Sequence, residues 1–401
     1  MEVLITCPSD RDRGALKSIE GPTFHMLDAP LNARTPSRDL DLVAYTEACI
    51  RYVETHTIDA VFYSRDLADI VAAVICEKFG LRGPSLESVF LCLHKYYARQ
   101  CEVNPVRCDY IDLEDEAPSV SGYPCYLKPP WLNLGILGFK LESEEDLKKA
   151  LGVARREYPN WSPLYFPFFE KYIDTEKYPL ATRPIMLVEE FVDGPQVTVE
   201  GWVSAGRPHV WAVTDTNTYA GTRIIDNFSL PSRHPGHTLD LLNQRAREAA
   251  RKMGLDNGFF NAEFWCCAGD VRLTEINGRA ATCFYELYRK CLGACVYEAG
   301  LSLACGQSSH FNPHFNGCVG GQFNFITFGE DVAENLFDFE KARGLEGITI
   351  YVEEGQVIRP VSEFGVVMAQ MDLFGASYED VHNTAVDFRH RLLRQPASSP
   401  W

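Results

Sequence analysis

Residues 258–279 read GFFNAEFWCCAGDVRLTEINGR, and the rest of the chain is read outward from them. Two arms rich in aromatic and branched residues flank turn chemistry at Ala268, Gly269 and Asp270, which predicts a β-hairpin. A three-residue loop pairs Cys267 with Val271 and, counting outward, Glu263 with Glu275 and Asn261 with Asn277. Side chains alternate across a strand, so Phe260, Ala262, Phe264 and Ile276 form one apolar face that can pack on a core. The opposite face carries two carboxylates directly across from each other, about 5 Å apart. Like charges so placed repel, and a bound cation is the economical reason for tolerating them. Two carboxylates with the amide oxygen of Asn277 form a hard-oxygen set suited to magnesium shared with phosphates, not to zinc. The alternative is a solvated acidic face.

Length and charge bound the remaining choices. A chain of 401 residues suggests two or three domains with a well-buried core. The hydrophobic fraction of 46% and charged fraction of 23% are ordinary globular values. A formal charge of −17 argues against a nucleic-acid or anionic-membrane surface, since either needs a basic face. Any phosphate ligand must then be held by a few local cations. The start MEVLITCPSD lacks a basic n-region, and the apolar run IVAAVIC at 70–76 is far too short to span a bilayer. Fourteen cysteines without a signal peptide point to free thiols in a reducing compartment, so a cytoplasmic location is expected. The absence of paired CxxC motifs argues against structural zinc.

In chain order, VLITC at 3–7, a helical segment at 40–55, DAVFYS at 59–64 and the helix-length LADIVAAVICEKFG at 67–80 predict an α/β domain over residues 1–90 with an open parallel sheet. A second unit, 91–195, follows. SLESVFLCLHKYYARQ reads as one helix with Lys95 and Arg99 on one face. YPCYLKPPW places Lys128 at the end of a short strand terminated by Pro129, where its charge needs a partner such as a phosphate, or else an edge position open to water. Gly135 and Gly138 mark a loop. Ser143 and Asp146 have capping-box spacing for a helix ending at Gly152. Residues 155–184, rich in aromatics and prolines, read as an irregular packed segment. IMLVEEFVDGPQVTVEGWV gives a strand, a break at Asp193, Gly194 and Pro195, and a second strand, with Glu189 and Glu190 as a solvated pair.

The third unit, 196–401, holds the hairpin. Residues 212–237 read as a polar loop over a substrate, and His234 and His237 there lack the acids or cysteines a metal site needs. TLDLLNQRAREAARKMG is an amphipathic helix feeding the hairpin. One or two helices follow, with Cys283 close to the acidic pair and read mainly as a packing residue. FNFITF, ITIYV and GVVMAQMDLFG are strands, a helix starts at Ser377, and QPASSPW is expected to fray.

A helix lysine, a strand lysine before a glycine loop, VEEF followed by Gly-Pro, and NAEFW followed by LTEINGR together resemble the ATP-grasp superfamily, in particular carboxylate-amine ligases of the L-amino-acid ligase and carnosine synthase type. The resemblance runs in order over residues 1–395 and is most specific at the acid, acid-x-Asn-x-Arg ending. It implies an ATP-grasp fold behind a Rossmann-like N-terminal domain, with ATP between two lobes. Lys95 and Lys128 would meet the phosphates, and Glu189, Glu190, Phe191 and Val192 would line the adenine side. Glu263, Glu275 and Asn277 would hold magnesium, with manganese as a substitute, and Arg279 would hold the substrate carboxylate and then the oxyanion, with Lys128 assisting the phosphoryl transfer. The partners implied are small-molecule carboxylate and amine substrates, with no nucleic acid and no membrane; a homodimer is left open. Gln196, where the family often has Glu, and Ala280 and Ala281, where glycines are common, depart from the pattern. Three readings stand at this point: an amide-forming ligase, a phosphotransferase on the same fold, and a catalytically silent ATP-binding protein.

Overall fold

The protein is described here as a computed structural model that covers residues 1–29, 40–133, 135–220, 222–267, 269–307, 311–360 and 365–394. Ala268 at the expected hairpin turn and the end expected to fray at 395–401 lie outside these residues.

The elements β1 (Glu2–Thr6), α1 (Asp10–Leu16), β2 (Thr23–Leu27), α2 (Leu42–Thr55), β3 (Ala60–Phe62) and α3 (Ala68–Phe79) alternate along the chain. Their strands form the expected parallel sheet in the order β2-β1-β3. β2 escaped the sequence reading because TFHML is short and none of its side chains is fully buried. The single helix expected after it is two, α4 (Leu86–Leu93) and α5 (Lys95–Cys101). The break falls at His94, with φ −93° and ψ 89°, and Lys95 N–H donates to the Pro130 carbonyl at 2.7 Å instead of continuing the helical ladder.

Next come β4 (Cys108–Asp112), β5 (Cys125–Lys128), β6 (Phe139–Leu141), α6 (Glu144–Glu157), α7 (Ser162–Tyr172) and β7 (Ile185–Glu190), whose strands make a sheet in the order β4-β7-β5-β6. Ser143 caps α6 as expected, but the helix runs through Gly152 to Glu157. The segment read as irregular holds α7 at its centre. Pro163 sits in its first turn, where proline's missing N–H costs nothing, and Phe168 and Phe169 are fully buried.

The third part begins with β8 (Gln196–Ser204), β9 (Arg207–Thr218) and β10 (Ile225–Leu230), then α8 (Gly236–Lys252), β11 (Gly258–Cys267), β12 (Asp270–Asn277), α9 (Tyr285–Leu292) and α10 (Val296–Ala304). It ends with β13 (Val319–Thr327), β14 (Asp331–Val332), α11 (Ala333–Leu336), α12 (Phe339–Arg343), β15 (Ile348–Ile350), β16 (Val357–Ile358), β17 (Val366–Gly375) and α13 (Tyr378–Leu392). Eight of these strands form one sheet, β12-β11-β8-β9-β10-β13-β17-β15, with β14 and β16 as a separate ribbon. Half of the stretch expected as a substrate loop lies in β9 and β10. Its polar residues pair with each other inside the sheet, Asn217 Nδ2 donating to Asn227 Oδ1 at 2.9 Å and to Ser229 Oγ at 3.0 Å. The break at Gly194 is required sterically, because a Cβ there would collide with the Cys266 carbonyl.

The hairpin face predicted as apolar is core: Phe260, Ala262, Phe264 and Ile276 are at most 1% exposed and pack with Leu242, Ala246 and Ala250 of α8. No helix is long and apolar enough to cross a membrane among the described residues. All fourteen cysteines are free.

Candidate active site at the acidic hairpin

β11 and β12 pair Glu263 with Glu275 and Asn261 with Asn277, as expected. The route to that register differs. Cys267 pairs with Asp270, not Val271, and the register shifts between Glu263 and Phe264, where Thr274 is the extra residue of a β-bulge. One residue moved from the turn into the strand leaves the acidic pairs unchanged. The bulge also turns the Thr274 carbonyl outward, where Arg99 Nη2 donates to it at 2.5 Å.

The two carboxylates have unlike surroundings. Glu275 Oε2 lies 3.1 Å from Lys95 Nζ. Burial alone would raise its pKa, but Lys95 and Lys128 outweigh that and hold it below the usual carboxylate range. Glu263 has Gln196 Nε2 at 2.5 Å and, among the described residues, no cation paired to it, so burial, with the charge of Glu275 opposite, pushes it up to about 8. Without a further cation the pair carries close to one negative charge at neutral pH. A divalent ion would restore the second, so the donor set fits one. Asn277 Nδ2 donates to Asn261 Oδ1 at 3.1 Å, which leaves the Asn277 amide oxygen available as a third ligand. Among the described residues, no three His, Cys, Asp or Glu side chains converge as a closed metal cage. Magnesium, which keeps waters and shares phosphate oxygens, does not need one.

Both predicted lysines reach this region. Lys95 is 4% exposed and spends its ammonium on Glu275, the Leu132 carbonyl at 2.9 Å and Asn133 Oδ1 at 3.2 Å. Lys128 stands on β5, an interior strand of its sheet, so the edge position is ruled out; its Nζ lies 2.7 Å from Glu189 Oε2. Burial and the neighbouring cations lower its pKa despite Glu189. Glu189 is not solvated. It is 5% exposed and accepts from Arg99 Nε at 2.8 Å as well, and although burial opposes ionisation, Arg99 and Lys128 bring it down to about 2. Arg99 therefore ties β7, β12 and Glu102, 2.5 Å away, into one buried network.

Glu190 is half-buried and pairs with Arg107 at 2.8 Å, while its backbone N–H donates to the Arg107 carbonyl at 2.9 Å. Beyond the strand end, the Phe191 ring has Lys140 Nζ at 4.7 Å and the Arg223 guanidinium at 4.2 Å from its centroid.

Arg279 donates through Nε to Asp66 Oδ1, and Asn133 Nδ2 donates to Asp66 Oδ2 at 2.8 Å. Asp66 thus joins the N-terminal domain, the loop carrying Asn133 and the hairpin exit. Sequence reasoning missed Asp66, and also Glu200, which is fully buried on β8. Glu200 accepts from Asn261 Nδ2 and from the Ala281 N–H at 3.2 Å, and burial pushes it up to about 7. The signal available for Glu200 was a carboxylate at an inward position of an alternating strand. Ala280 and Ala281 are buried, and neither adopts positive φ, so the loop after Arg279 does not need glycines. Cys283 is half-buried, and burial pushes its thiol up to about 11, which suits packing better than nucleophilic work. Trp131 is core, packed edge-on against Tyr158 and Phe166 and tilted against Tyr165.

Comparison with known proteins follows the same line. Residues 121–285 match the ATP-grasp domain family. Among solved structures, the chain is similar to the L-amino acid ligase from Bacillus licheniformis, with 15% identity, a TM-score of 0.73, and coverage of 98% of this chain and 97% of that one. It is also similar to phosphoribosylglycinamide synthetase from Anaerococcus prevotii, at 18% identity and a TM-score of 0.63, covering 98% of each chain. The biotin carboxylase domain of 2-oxoglutarate carboxylase from Hydrogenobacter thermophilus, solved with MgADP and bicarbonate, matches at 15% identity and a TM-score of 0.65, covering 98% of this chain and 90% of that one. At these identities the likeness establishes the fold. No curated protein sequence matches the chain.

Proposed function

On the premise that the chain carries an ATP-grasp domain within an ATP-grasp fold, we propose that it is an ATP-dependent carboxylate-amine ligase. It activates a small carboxylate as an acyl phosphate and couples that to an amine, an amino acid in the first instance, with release of ADP and phosphate. One observation carries this reading: Glu263 and Glu275 face each other across the hairpin with Asn277 beside them and Lys95 on Glu275, a set of charges that a divalent cation and phosphates would complete. The related fold solved with MgADP supports the choice of ligand.

ATP would supply the phosphoryl group, and a bound magnesium ion would supply neutralisation of its charge. Glu263, Glu275 and Asn277 would hold the ion; manganese shares the same oxygen preference and would substitute. Lys95 and Lys128, now paired with Glu275 and Glu189, would share their charge with the phosphate oxygens. Glu190 N–H is committed to Arg107, so the Glu190 backbone would meet the adenine edge through its carbonyl, together with the Val192 backbone just beyond the strand. Arg279 orients the substrate carboxylate and then meets the oxyanion of the tetrahedral intermediate. Carboxylate oxygen is a poor leaving group, and phosphorylation replaces it with a good one.

The test is incubation of the protein with ATP, magnesium, and mixed amino acids and small carboxylic acids. ADP and free phosphate together with a new mass equal to two substrates less water are expected. A phosphorylated substrate without free phosphate would overturn the ligase in favour of a phosphotransferase.

A further inference from the structure

Three polar side chains stand abreast on neighbouring strands. The ladders pair Glu200 of β8 with Asn261 of β11, and Asn261 with Asn277 of β12. Residues opposed in this way point to the same face of a sheet. The row is deepest at Glu200, which is fully buried; Asn261 is 2% exposed, and Asn277 is half-buried, two residues beyond Glu275.

Hydrogen bonds run along the row in one direction. Asn277 Nδ2 donates to Asn261 Oδ1 at 3.1 Å, and Asn261 Nδ2 donates to Glu200 Oε1. From the other side the Ala281 N–H donates to Glu200 Oε2 at 3.2 Å. A carboxamide has a donor end and an acceptor end, so what faces it sets its direction. Ala281 offers a backbone N–H, which can only donate, and it takes one oxygen of Glu200. The second oxygen accepts as well, so Asn261 must show Nδ2 to Glu200 and Oδ1 to β12. Asn277 must then give Nδ2 to Asn261, and its oxygen is the end left over. Reversing one amide alone would set donor against donor in a buried row and leave both unsatisfied.

We propose that Glu200, acting through Asn261, is a positioning residue that presents the oxygen of Asn277 to the bound cation. The proposal rests on the metal role given above to Glu263, Glu275 and Asn277, and adds a residue that touches neither ion nor substrate. An amide free to turn would offer the ion a repelling NH2 group as readily as an oxygen.

Glu200→Gln is the direct probe, because it keeps the shape and replaces two accepting oxygens with one. The backbone N–H of Ala281 holds that one oxygen, so the new NH2 group faces Asn261. Asn261 then reverses, Asn277 reverses with it, and an N–H group meets the ion. Adding Asn261→Asp puts an acceptor-only group next to Asn277 and turns its amide back, with the net charge of the wild type restored.

The test measures ADP affinity of the full chain by calorimetry, once with manganese and once with a chelator, at a pH above the Glu200 pKa of about 7. Manganese is expected to tighten ADP binding to the wild type. Glu200→Gln should weaken binding of manganese-ADP by about tenfold, the scale of loss for a group behind a metal ligand, while metal-free ADP binds as to the wild type. The double variant should recover most of that loss. A residue that only supports the fold would weaken ADP binding with and without metal alike, and the second substitution would not restore it. Circular dichroism checks folding; should Glu200→Gln fail to fold, Asn261→Leu replaces it, since it removes the acceptor of Asn277 Nδ2 and should weaken manganese-ADP selectively. Unchanged manganese-ADP affinity in the folded single variant, or equal weakening in the single and double variants, overturns the relay and leaves the ligase reading intact. ADP binding to the wild type that ignores manganese overturns the relay together with the metal assignment, and the product screen then judges the ligase alone.

Discussion

Arg279 is held by Asp66, a carboxylate 213 residues earlier in the chain, so the arginine expected to meet a substrate carboxylate already has an internal one. Burial works against the ionised form of Asp66, but the Arg279 guanidinium and Asn133 hold its pKa below the usual range. The contact fixes the direction of the guanidinium fork, whose Nη1 also donates to the Ala280 carbonyl at 3.4 Å, and among the described residues Nη2 is left for a ligand. Arg279→Lys keeps the charge but loses the fork, and a point charge cannot satisfy Asp66 and a substrate together. Turnover is expected to fall at least tenfold, about 1.4 kcal/mol of transition-state stabilisation, with a thermal midpoint within a few degrees of wild type. Steady-state kinetics beside a melting curve check this, and unchanged kcat/KM would remove Arg279 from the site.

The two hairpin glutamates should respond differently to the same change. Glu275→Gln keeps an acceptor for Lys95 but removes the charge that balances a buried ammonium, so stability should drop by about 1–3 kcal/mol along with the loss of magnesium-dependent turnover. Glu263→Gln should abolish the same turnover with little loss of stability at pH 7, where the native carboxyl at about 8 is mostly protonated already. Urea titrations with activity assays separate the two. Equal destabilisation by both substitutions would contradict the unlike environments described for them.

The pH dependence follows with a definite sign. The folded pKa of Glu263 lies at about 8 against an ordinary value of 4.5, so the native state binds the extra proton between those limits. Its contribution to stability is complete below about pH 4.5 and is lost as pH rises to about 8. Wild type should therefore lose stability relative to Glu263→Gln across that window, with a plateau above it. Because Glu200 and Asp69, both raised to about 7, titrate in the same sense, only the difference between variant and wild type isolates Glu263. Magnesium, which favours the ionised pair, should flatten the difference.

How far the sequence carries depends on whether a signal is local. The acidic pairing was legible because strand alternation fixes it from one stretch of 22 residues, 258–279. It survived a wrong turn length only because the Thr274 bulge supplies the residue that the turn lacks. Asp66 and Arg99 were not legible as partners of Arg279 and Glu189, since those contacts join segments far apart in sequence and nothing in SRDL or YYARQ announces them. Helix α7 was hidden by its prolines, and β9 and β10 by polar residues that look like loop until the neighbouring strand supplies their partners. Glu189 read as solvated because two adjacent acids usually are, and only the fold shows two cations closing on one of them.

Arg99 gives the sharpest test of the buried network. It is 4% exposed and spends its guanidinium on Glu189, Glu102 and the Thr274 carbonyl. Burial already raises the pKa of Glu102 in spite of Arg99. Arg99→Ala would leave two buried carboxylates with Lys128 as the cation still acting on them, and removing one partner of a buried ion pair costs about 3–5 kcal/mol. The loss should shrink at low pH, where the stranded carboxyls can protonate, so the gap between variant and wild type in urea midpoint is expected to narrow from pH 7 to pH 5. A pH-independent gap would mean that Arg99 acts through packing alone. Arg99→Lys should recover only part of the loss, because one ammonium cannot reach Glu189, Glu102 and the bulge carbonyl at once.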